Sequence, residues 1–118
     1  MKQKPTITYI KDEKETTITL TRFNQQFIFN KLFYNYPYDE ISNGRYKVRD
    51  EITYLEIKNY QLKRHSIITC INPETIIILD NCIYDGIIEL TEGSYRLIYP
   101  TFIENKGNIA GDWTVLKI

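Results

Sequence analysis

The sequence predicts an all-β fold: a single-domain antiparallel β-sandwich or β-barrel of about 8–10 short strands, with at most one short helix. Three observations point there. Alanine occurs once, at Ala110, while Ile, Thr and Tyr are abundant, a composition that favours strands over helices. Short runs with period-two alternation recur along the chain, separated by turn-forming residues. No long amphipathic segment is available to serve as a crossover, so antiparallel pairing is expected and a parallel sheet is not.

The elements follow in order. Thr6 to Ile10 and Thr16 to Arg22 are β-prone, the second alternating Ile18 and Leu20 against Thr17, Thr19 and Thr21. The charged stretch Lys11 to Glu15 between them suits a hairpin connector. From Gln26 to Tyr34 the pattern is ambiguous: Phe27, Phe29 and Phe33 share one side of a strand, but the same apolar residues would line a short helix. Asn43-Gly44 is the strongest turn signal, because a type I′ turn needs positive φ at both central positions. It predicts a hairpin from Tyr38–Ser42 to Arg45–Arg49. Ile52 to Lys58 alternates, Gln61 to Ile71 is mostly strand-like, and Asn72-Pro73-Glu74-Thr75 is a turn with proline at its second position. Thr75 to Leu79 is apolar on both faces and belongs at the centre of the fold. Ile87 to Leu90, Tyr95 to Tyr99, Thr101 to Glu104 and Trp113 to Ile118 complete the set. No internal repeat is evident.

At 118 residues the chain is sized for one domain, 1–118, able to stand without disulfides or metal. Cys70 and Cys82 lie in apolar stretches and read as buried free thiols of a cytoplasmic protein. The amino-terminal residues carry no apolar run of a signal peptide, and no segment is apolar enough to span a membrane. Fifteen basic and fifteen acidic side chains cancel, which argues against a general nucleic-acid or membrane binder. The charge is nevertheless graded: residues 1–70 hold twelve Lys/Arg and eight Asp/Glu, residues 71–118 three and seven.

Catalytic signatures are missing. The single histidine, His65, has no orienting carboxylate that sequence can place beside it. Two cysteines and one histidine do not make a zinc spacing. The stretch from Asp80 to Gly86 fails the alternating oxygen pattern of a calcium loop. The five glycines are scattered singly, so no phosphate-cradling loop is formed. No catalytic residue, cofactor or metal is therefore predicted.

Two features remain as a binding surface. The first is the run Phe33, Tyr34, Tyr36, Tyr38, interrupted by Asn35 and Pro37, which an edge or turn would leave partly in water. The second is Arg45, Lys47 and Arg49, which share one face of a strand. Together they place rings beside cations, a composition enriched in interface hot spots. The expected function is a small non-enzymatic protein that docks another protein or a second copy of itself, in the manner of an inhibitor or immunity-type accessory factor of a mobile element. The alternative is a small β-barrel that takes an apolar or nucleotide-like ligand, or single-stranded nucleic acid.

Overall fold

The computed structural model describes residues 3–34, 44–62, 66–84, 86–90, 101–103, 109–110 and 114–117. These form twelve strands and one helix. The chain opens with a hairpin of β1 (Thr6–Lys11) and β2 (Lys14–Thr19), antiparallel from Thr6 opposite Thr19 to Lys11 opposite Lys14. Asp12 and Glu13 alone make the turn, both at positive φ (53° and 63°), as a type I′ turn requires. The charged connector expected from sequence is therefore mostly strand.

The ambiguous stretch is a helix, α1 (Gln25–Leu32), followed at once by the two-residue strand β3 (Phe33–Tyr34). Thr21 and Asn24 set up the helix start: Asn24 Oδ1 accepts from the Thr21 N–H at 2.8 Å, and Thr21 Oγ1 accepts from the Phe23 and Asn24 N–H groups. Helical geometry turns successive side chains by about 100°. Ile28, Phe29 and Leu32 thus point to the core, while Phe27 turns to solvent. Arg49 closes the other end, its main-chain N–H donating to the Leu32 carbonyl (2.8 Å) and its Nε to the Asn30 carbonyl (3.1 Å). These are carbonyls that a helix end leaves without internal partners.

From β4 onward the strands pair with one another in parallel. One five-stranded sheet runs β12-β9-β6-β4-β3, built from β4 (Arg45–Val48), β6 (Ile67–Cys70), β9 (Ile87–Leu90) and β12 (Thr114–Lys117). Only its β3–β4 pair is antiparallel. The other sheet runs β10-β7-β5-β1-β2, with β5 (Ile52–Lys58), β7 (Ile76–Asp80) and β10 (Thr101–Ile103) parallel and the hairpin antiparallel at one side. A third, minor pair joins β8 (Cys82–Ile83) to β11 (Ile109–Ala110), and Gln61 bridges Ile83 beside it. The chain alternates between the walls, visiting each in turn and stacking every circuit on the one before.

The result is all-β and is not a closed barrel, but the expected antiparallel order is overturned. The expectation assumed that parallel neighbours need a helical crossover. Here the opposite wall supplies the return path, so no helix is needed. The absence of a repeat is corrected as well. Asn59 and Asn81, 22 positions apart, occupy equivalent corners at positive φ (57° and 54°), and Asn81 Nδ2 donates to Asn59 Oδ1 at 2.7 Å. Asparagine tolerates this left-handed conformation and stacks its amide on the circuit below. The turn at Asn72 forms as predicted, with the Thr75 N–H donating to the Asn72 carbonyl. Gly86 sits where an added Cβ would lie 2.1 Å from the Ser66 carbonyl, so the close approach of two circuits demands glycine. The antiparallel partner of Lys47 and Val48 is β3, while the expected first strand of the Asn43-Gly44 hairpin, Tyr38–Ser42, lies outside the described residues, as do 95–99.

One hydrophobic cluster fills the space between the sheets. Ile7, Leu55, Ile57 and Leu79 enter from one wall, Tyr46, Val48, Ile68 and Ile88 from the other, and Phe29 and Leu32 of α1 join it. The helix and hairpin form a cap on the early circuits. Thr75 to Leu79 behaves as anticipated: β7 lies between β5 and β10, and Ile77, Ile78 and Leu79 are all buried.

Candidate functional site

Period-two geometry divides the predicted patch. In β3, Phe33 turns inward and is 1% exposed, its ring set edge-on against Tyr46 with centroids 4.7 Å apart. Phe33 is a core residue and offers no ring to a partner. Tyr34, the next residue, faces outward and pairs in register with Lys47. Directly opposed residues of an antiparallel pair share a face, and Lys47 Nζ lies 5.2 Å from the Tyr34 ring centroid. The Arg49 guanidinium lies closer still, at 4.4 Å. Tyr36 and Tyr38 fall outside the described residues.

The three cations do not act as one stripe. Arg45 turns towards the middle of the sheet and pairs with Glu89 at 3.4 Å, whose other carboxylate oxygen accepts from Thr69 Oγ1 at 2.8 Å. Lys47 pairs with Asp50 at 3.6 Å. Arg49 stands past the end of β4, at the corner into β5, where it ties down the helix and covers Tyr34. The structure thus brings Tyr34, Lys47 and Arg49 together and separates Arg45 from them.

Sequence reasoning missed what lies on the other side of Arg49. Together with Tyr9, Lys11, Asn30, Lys31 and Glu51, Arg49 lines an open hollow of about 370 Å³. A second hollow of about 390 Å³ adjoins it, sharing Tyr9 and Lys11 and adding Asp12, Lys14 and Thr16. Four cations and two carboxylates surround the pair. Lys31 Nζ also lies 4.6 Å from the ring of Phe27, which is 62% exposed. Phe23 is 89% exposed with Arg22 over its face at 5.7 Å. A continuous band therefore runs from Tyr34 across Arg49 and the hollow to Lys31 and Phe27. The available signal was helical spacing: Phe27 and Lys31 are four apart and so neighbours on a helix, one of the two readings that the sequence left open for this stretch.

Elsewhere the described chemistry is quiet. Cys70 and Cys82 are free and buried, and burial pushes both thiols up to about 11, so neither is a ready nucleophile at neutral pH. Among the described residues no three metal-ligating side chains converge, and no helix is long and apolar enough to cross a membrane. Comparison with family models, curated proteins and solved structures gave no match.

Proposed function

We propose that the protein is a non-enzymatic docking module that binds another protein through the band from Tyr34 to Phe27. The observation that carries this reading is the position of Arg49, which covers the Tyr34 ring at 4.4 Å and also lines the hollow reached by Lys31 and Phe27. Rings held in water beside cations are costly to leave uncovered and productive to bury, which is the usual make-up of an interface hot spot. The parallel circuits beneath supply a rigid base. The role is that of an inhibitor- or immunity-type accessory, which holds or blocks a partner and transforms nothing. An internal ligand has less support, because the space between the walls is filled by side chains including Tyr46, Phe29 and Phe33.

The test is a pair of substitutions, Phe27→Ser and Tyr34→Ser, compared with wild type for retention of one identified partner and for self-association by light scattering. The expected result is loss of the complex with an unchanged circular dichroism spectrum. Retention of the same complex by the folded double variant contradicts the proposal.

A further inference from the structure

Resting on that docking reading, we infer that the double hollow beside α1 takes the carboxylates of an extended acidic segment of the partner. The two hollows share Lys11 and Tyr9, and Tyr9 is 9% exposed. Its hydroxyl has no hydrogen-bond partner among the described residues, although no fully occluded polar side-chain atom there is left unsatisfied. The hydroxyl therefore opens to solvent from a side chain that is otherwise sealed, and it can exchange water for the acceptor oxygen of a ligand. Lys14 and Lys31 at the rims have no acidic partner among the described residues. Lys11 has only a loose contact with Glu51, at 4.0 Å. A hydroxyl at the back and uncompensated ammonium groups at the mouth recognise an oxyanion by charge-assisted hydrogen bonds.

Carboxylate sources fit better than nucleic acid. Tyr9 is buried, so it presents no ring face on which a base could stack. Asp12 and Glu51 at the rims and the neutral whole-chain charge limit the counterion release on which phosphate-backbone binding depends. The exposed Phe27 ring, in contact with Lys31, adds an apolar anchor beside the cationic mouth. The segment that matches is acidic with a single apolar side chain among its carboxylates.

The experiment titrates the full chain into three labelled probes and follows fluorescence anisotropy: a short peptide of glutamates around one phenylalanine, its glutamine counterpart, and an oligothymidylate. The glutamate peptide should bind, more weakly as salt rises, and the glutamine peptide should not. Lys14→Glu with Lys31→Glu should weaken binding on the order of tenfold, and Tyr9→Phe about threefold. Matching thermal midpoints guard against unfolding, with Lys14→Gln and Lys31→Gln standing in if the reversed charges destabilise the chain. Equal binding of both peptides, no binding of the glutamate peptide, or preference for the oligothymidylate overturns the inference. If Phe27→Ser and Tyr34→Ser release the natural partner while Lys14→Glu and Lys31→Glu keep it, docking stands and the acidic segment falls.

Discussion

The cap of residues 3–34 and the circuits that begin at Gly44 both present strands to the shared core but close their hydrogen bonds differently. In the cap, partners lie near one another in sequence: Lys11 opposes Lys14 across a two-residue turn. In the circuits each strand finds its partner about one full revolution later, as Tyr46 does with Ile68 and Ile68 with Ile88. The difference in chemistry follows the difference in construction. Stacked circuits bury both of their inner faces and leave corners and outer rows for polar groups, so they make a stiff and uneventful scaffold. The cap has a helix with one face to the core and the other to water, and the exposed rings and uncompensated cations gather there.

Substitutions can break or sharpen this contrast. Phe29→Ala removes a ring that is wholly buried between helix and walls, and should cost about 3–5 kcal/mol in urea denaturation. Gly86→Ala should be comparably damaging, since its methyl would collide with the Ser66 backbone. If Gly86→Ala leaves the melting temperature unchanged, the circuits are not stacked as described. Asn81→Ala loses both the amide ladder and tolerance of positive φ, for about 1–2 kcal/mol. Asn81→Gly restores the backbone freedom alone and should recover part of that loss.

A smaller effect comes from pH. Cys70 and Cys82 titrate near 11 when folded because burial disfavours the thiolate, against about 8.5 in an unfolded chain. The folded state therefore keeps these protons longer. Their stabilising contribution is whole below about pH 8.5 and drains as pH rises towards 11, by ~1 kcal/mol per thiol at about pH 9. Urea midpoints at rising alkaline pH should fall less steeply in Cys70→Ala/Cys82→Ala than in wild type. Least of all should be Phe27→Ser, within about 0.5 kcal/mol of wild type in stability, because a ring in water has little packing to lose.

Much of the cap and little of the coiling was legible in the residues. The type I′ geometry was assigned to Asn43-Gly44, whose segment is outside the described residues, whereas Asp12 and Glu13 adopt it at a place where their chemistry gives only a modest hint. The strand position of β5 followed from alternation and that of β7 from a short apolar run between turn signals, both of which depend only on neighbours. Pairing direction did not, because two walls that alternate along the chain carry the same pattern as an antiparallel meander. An asparagine recurring 22 positions on, as Asn59 and Asn81, is a textual trace of the circuits. Of the proposed binding residues, Tyr34 stands out in the aromatic run and Lys47 and Arg49 by their spacing, and the structure brings these three together. Phe33 turns inward because adjacent strand residues point opposite ways, and the exposure of Phe27 follows only once the ambiguous stretch is a helix.

Amide chemical-shift mapping during titration with the glutamate–phenylalanine peptide tests the assignment of recognition to the cap most directly. Perturbations should cluster at Tyr9, Lys11, Lys14, Phe27 and Lys31 and leave Ile68, Ile78 and Ile88 unmoved. Shifts concentrated along the stacked circuits, or no shifts at saturating peptide, would contradict it.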